Sequence, residues 1–118
     1  MSTFDEKARD WDTPQRHARA EVVAQAIRAS VPLAPSMRAI DLGAGTGLLG
    51  FALAADVGEM VLAEPSAGMR QVIREKLDAG STPHVSAIAF EVPGDPPPGE
   101  PFDLAVSMLV LHHLHDTA

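Results

Sequence analysis

The apolar positions of this chain change period several times, and each change marks an element. After Thr13, the residues Val22, Val23, Ala26, Ile27 and Ala29 recur at helical spacing. This predicts a helix over 14–30, with Thr13 as N-cap and Pro14 in the first turn. Residues 31–36 carry two prolines and read as a connector. Short apolar runs at 37–42, 59–64 and 84–92 predict three strands, with helices expected over 46–55 and 66–79. Ser66 suits the N-cap of the latter and Gly80 its end. Alternation of helix and strand implies an α/β fold on a mainly parallel sheet. The segment 93–101 holds five prolines, which exclude regular helix and central strand.

The first strand runs into Asp41-Leu42-Gly43-Ala44-Gly45-Thr46-Gly47, an acid followed by glycine at every second position. Glycine adopts backbone angles closed to other residues and lets the main chain approach a ligand with no Cβ between. A helix starting here would also turn its free N–H groups toward the site. Two ligand chemistries compete for such a turn. Gly45, Gly47 and Gly50 fit the dinucleotide fingerprint, in which a helix N-terminus receives a pyrophosphate. Asp41 opposes that reading, because a carboxylate ahead of the glycines repels a pyrophosphate and attracts an ammonium or sulfonium.

The acid-x-Gly-x-Gly-x-Gly register, counted from Asp41, resembles the first motif of the class I S-adenosylmethionine-dependent methyltransferases. The run from Glu59 through Glu64 and Pro65 to Met69 adds to the resemblance, which implies that Glu64 receives the ribose hydroxyls. Nicotinamide-binding folds use the same device, so Glu64 does not separate the two chemistries. Residues 102–114 look like the family's fourth strand and the turn after it. Together with the segment from Phe4 through Trp11 to Asp12 at the start, they resemble small-molecule methyltransferases more than those acting on nucleic acid.

The resemblance implies a Rossmann-like sheet of order 3-2-1-4 with helices mainly on one face. The link at 93–101 must then cross the sheet, a distance of about 24 Å, and nine extended residues reach about 30 Å. An adenine reader is expected at the end of strand three. Glu91 is preferred to Asp95, since Val92 offers a backbone N–H and Pro96 has none. The cofactor set so implied is Asp41, Gly43, Ala44, Gly45, Gly47, Glu64, Pro65, Met69, Glu91, Val92 and Ser107. The reaction implied is methyl transfer from S-adenosylmethionine to a small molecule, leaving S-adenosylhomocysteine.

Composition narrows the alternatives. The chain has 118 residues, 46% of them hydrophobic, and no apolar run long enough to span a bilayer. One domain is expected, with a helical arm at 1–36 and a cofactor-binding core at 37–118. A net charge of −7 opposes a phosphate-backbone partner. Absence of cysteine excludes disulfides and thiolate metal sites, and points with the polar N-terminus to the cytoplasm. His112, His113 and His115 do not suggest a metal, because adjacent histidines diverge on a helix. His112 and His113 remain the candidates for a base near the methyl acceptor, and no catalytic residue is otherwise assigned.

The other readings are an NAD(P)-dependent oxidoreductase and a non-catalytic binding subunit completed by a partner. Family members continue well beyond strand four. The sequence therefore reads as the cofactor-binding part of a larger domain. Leu104, Val106 and Met108 are expected to leave one sheet face and the strand-four edge open, for self-association or for a missing C-terminal half.

Overall fold

The computed structural model describes residues 11–90 and 101–108. Four parallel strands form one sheet in the order β3-β2-β1-β4, with β1 at Arg38–Leu42, β2 at Glu59–Ala63, β3 at Val85–Ile88 and β4 at Leu104–Val106. Helix α1 spans Pro14–Ser30, α2 Leu48–Leu53 and α3 Ala67–Ala79, and a 3₁₀ turn at Ala54–Asp56 follows α2. The α/β class and the crossed order agree with the sequence. The link that makes the crossing lies almost wholly outside the described residues.

Local signals start the helices where expected. The Thr13 hydroxyl accepts the Arg16 N–H with Pro14 in the first turn, and the Ser66 hydroxyl accepts the Met69 N–H. Helix α3 ends at Gly80, whose backbone is extended, so the stop owes nothing to a left-handed conformation. Helix α2 begins at Leu48 and not at 46, because Gly47 sits at φ +86° in the left-handed region and cannot belong to it. Two long side chains close its far end. Arg28 donates to the Ala52 carbonyl and to Asp56, and His84 Nε2 lies 2.7 Å from the Ala54 carbonyl oxygen.

The buried face of α1 differs from the expected stripe. Ala20 and Ala24 are buried while Val22 is 68% exposed, and Ala26 and Ala29 are exposed too. The seam is Ala20, Val23, Ala24 and Ile27, a set spaced by three and four residues in which two alanines allow close approach to α2.

Pairing decides which face each strand residue takes. Met60, Ala39 and Leu104 stand in register across β2, β1 and β4. They join one apolar cluster with Ala24 of α1, Leu49 and Leu53 of α2 and Ile73 of α3. Helices α1, α2 and α3 therefore cover the same face. Leu104, Val106 and Met108 lie on this covered side, contrary to the expectation that they stand open, because residues in register on parallel strands share a face.

The opposite face carries Ile40, Val61 and Ala63, which are 4%, 4% and 0% exposed. Leu42, Ile88, Phe90 and Phe102 pack against them, so this face is not bare, although no helix residue among those described joins it. Strand β3 stops at Ile88, short of the expected 92. Its last partner is Ala63, and beyond the Glu64 N–H to Ile88 carbonyl bond β2 has turned away. Among the described residues, no helix is long and apolar enough to cross a membrane.

Candidate functional site

The glycine turn leaves the C-terminal end of β1 at the middle of the sheet. Gly43, Gly45 and Gly47 have φ of +66°, +63° and +86°, angles that strain any residue with a Cβ. The alternate spacing seen in the sequence is thus a sequence of three left-handed residues. The Ala44 N–H extends the ladder by donating to the Ala63 carbonyl, and the Gly47 N–H closes the turn on the Ala44 carbonyl.

Gly45 and Gly50 differ in what surrounds them. A Cβ on Gly45 would meet no atom within 4 Å, so this backbone borders open space. One on Gly50 would come within 2.2 Å of Leu62 Cδ2 and 3.2 Å of Asp41 Oδ2. Gly50 is therefore needed for packing of α2 on the sheet, which is a different demand from the one on Gly45.

Glu64 follows β2 and is 7% exposed. Its Oε1 accepts the Gly45 N–H at 2.7 Å and its Oε2 the Ser66 N–H at 2.9 Å. A carboxylate has about four acceptor positions. Among the described residues, one on each oxygen is taken and one on each remains. Arg70 holds the same bend by donating to the carbonyls of Glu64 and Pro65 at 2.7 and 2.8 Å.

Asp41 turns inward. It is 2% exposed, and its Oδ2 accepts the Gly50 N–H at 3.1 Å. Its pKa is raised from 3.8 to about 7, because burial, the largest cause, and the nearby charge of Glu64 outweigh the lowering effect of the Gly50 hydrogen bond. The ionised form of Asp41 is therefore costly in the folded chain.

The remaining expected residues fall around this centre. Pro65 is exposed beside Glu64, and Met69 is half-buried in the first turn of α3. Ser107 is 4% exposed and directly follows Val106, the register partner of Asp41. Glu91 and Val92, the expected adenine readers, and His112 and His113, the expected base candidates, lie outside the described residues, as does Phe4. Trp11 is 39% exposed with the Arg16 guanidinium stacked on it at 3.9 Å. Among the described residues, no group of three or more His, Asp or Glu side chains is placed to hold a metal ion.

Three residues at the turn were not among the site residues expected from the sequence. Arg70 is one. The others are Asp12 and Lys76, which meet Thr46 between the second and third glycines. They come from distant segments, and each alone reads as a surface charge.

The comparisons agree with this geometry. A family model described as a methyltransferase domain matches residues 40–118. No curated protein sequence is similar enough to match. Among solved structures, an S-adenosyl-L-methionine-dependent methyltransferase assignment from Methanococcus maripaludis superposes with TM-score 0.73 at 22% identity, over 91% of this chain and 51% of that one. The S-adenosylmethionine-bound amino pentose methyltransferase of Micromonospora echinaspora gives TM-score 0.61 at 25% identity, over 92% and 42%. A Haloferax volcanii protein in complex with the Trm112 methyltransferase activator gives 0.67 at 24%, over 91% and 47%. The chain spans about half, or less, of the length of each. With the 3-2-1-4 sheet, the left-handed glycine turn and the matched family model together, the chain belongs to the class I S-adenosylmethionine-dependent methyltransferases, corresponding to their N-terminal part.

Proposed function

We propose that the chain binds S-adenosylmethionine at the C-terminal ends of β1 and β2 and serves methyl transfer to a small-molecule acceptor. The observation that carries this is the Glu64 carboxylate clamped beside open space at Gly45. Its two unused acceptor positions match the two vicinal hydroxyls of a ribose. In this reading Gly43, Ala44, Gly45 and Gly47 supply the close-approach backbone, and Asp41 supplies negative charge for the ammonium and sulfonium. Pro65, Met69 and Ser107 border the ligand. Glu91 and Val92 read adenine, and His112 or His113 serves as a base where the acceptor must lose a proton.

Bound there, S-adenosylmethionine supplies a methyl group on a cationic sulfur. The chain's own residues hold and orient the nucleoside and exclude water, which suits a displacement that depends on alignment more than on acid–base chemistry. A small acceptor accords with the net charge of −7 and with an amino pentose methyltransferase among the structural relatives. A cytoplasmic location and association with further polypeptide, through the edge of β4 or in the manner of the Haloferax complex, belong to the same reading.

Calorimetric titration tests it. Saturable binding of S-adenosylmethionine and S-adenosylhomocysteine is expected, with no heat from reduced nicotinamide cofactor. Binding of the nicotinamide cofactor without response to either sulfur ligand would establish the oxidoreductase reading instead.

A further inference from the structure

Thr46 lies at the middle of the glycine turn, between Gly45 and Gly47, and is 1% exposed. Its hydroxyl donates to Asp12 Oδ1, and its carbonyl oxygen accepts from Lys76 Nζ at 2.7 Å. Lys76 also pairs with Asp12 Oδ2 at 2.6 Å, which closes a three-residue ring. Side-chain exposure of 29% for Lys76 and 19% for Asp12 puts the pair largely out of water, where a charge-assisted bond is stronger than on an open surface.

Three segments meet in this ring. Asp12 precedes α1, Thr46 is in the turn, and Lys76 is in the last turn of α3. Helix α3 therefore grips the glycine turn twice. At its start, Ser66 and Gly45 share the Glu64 carboxylate. Near its end, Lys76 holds the Thr46 carbonyl. Thr46 is the only residue of the turn with a side-chain hydroxyl, and flanking left-handed glycines offer the least intrinsic resistance to a change of shape.

We propose that Asp12 and Lys76 are positioning residues for the glycine turn, fixing Thr46 so that the turn keeps its ligand-receiving shape and coupling that shape to the segment ahead of α1. Neither residue is assigned a contact with the cofactor. Their contribution is preorganisation, so their removal acts on binding through the turn. The inference rests on the proposed cofactor site, but it also makes a claim about the free protein.

Two readouts on Asp12→Asn, Lys76→Met and Lys76→Arg test it. The first needs no ligand: amide hydrogen exchange at Gly45 and Gly47, referred to exchange in β2. In Asp12→Asn and Lys76→Met the turn amides should exchange about tenfold faster while β2 is unchanged, and Lys76→Arg should keep the slow rate. The second is affinity for S-adenosylhomocysteine. It should fall about tenfold in the first two variants, the size of a coupling between residues in one network, and recover in Lys76→Arg. Acceleration shared equally with β2 would mean that the pair only supports the fold, and would overturn the proposal. Unaltered exchange at Gly45 and Gly47 would overturn it as well. Absence of any binding by the unaltered protein would defeat the cofactor reading and leave the exchange result to decide this one.

Discussion

Glu64 Oε1 accepts the Gly45 amide N–H at 2.7 Å across nineteen residues of sequence. One carboxylate therefore sets the shape of the turn after β1 and the start of α3 after β2. Replacing it with Gln keeps the length but turns one acceptor into an NH₂ donor, which must face the N–H of Gly45 or Ser66. A buried donor left without its acceptor costs about 1–3 kcal/mol. Glu64→Gln should lower the melting temperature and weaken S-adenosylhomocysteine binding at least about tenfold. Thermal unfolding and calorimetry check this; wild-type values in both would remove Glu64 from the site.

Gly45→Ala and Gly50→Ala should separate binding from stability. At Gly45 the added methyl meets open space, so the folded state bears only left-handed strain of about 1–2 kcal/mol, while the methyl enters the ligand's approach. At Gly50 it collides with Leu62 and crowds Asp41, an overpacking cost of about 1–3 kcal/mol or more. The expected outcome is lost binding with a modest fall in melting temperature for the first, and the larger fall for the second. The reverse order in unfolding experiments would contradict the assignment of open space at Gly45.

Asp41 makes stability depend on pH. Its folded pKa of about 7 lies above the unfolded value of 3.8, so between them the native state binds the proton more tightly. Stability from this group is full below pH 3.8, declines as pH rises toward 7 and is flat above, by a total on the order of 4 kcal/mol. Asp41→Asn should therefore melt higher than the parent at pH 8, with the difference shrinking toward pH 4.

The same ionisation should govern the ligand. A cation at the site favours ionised Asp41, so affinity for S-adenosylmethionine should rise with pH through about 7 and then level, and Asp41→Asn should bind weakly without that step. Calorimetry at pH 6 and pH 8 on both proteins tests this, and an equal pH dependence in the two would exclude Asp41 as its source.

Features fixed by neighbours along the chain were legible in the sequence. Thr13 and Ser66 announce helix starts through their own hydroxyls, and Gly43, Gly45 and Gly47 announce left-handed angles that other residues resist. Glu64 was legible because it ends an apolar strand. What depends on partners was not. The face of Leu104 follows from its register with Ala39, and the end of β3 from where β2 turns away. The seam of α1 runs through Ala20 and Ala24, because small residues permit close helix packing and a count of large apolar residues overlooks them. Lys76 and Asp12 meet only after folding, and no local pattern pairs them with the turn.

Titration of ¹⁵N-labelled protein with S-adenosylhomocysteine, followed by amide chemical shifts, reads the glycine turn and Glu64 in a single experiment. Saturable shifts centred on Gly43, Gly45, Glu64 and Ser66 are expected, absent in Glu64→Gln and absent with reduced nicotinamide cofactor. Shifts confined to other parts of the chain, or produced at these amides by the nicotinamide cofactor and not by S-adenosylhomocysteine, would contradict the proposed cofactor site.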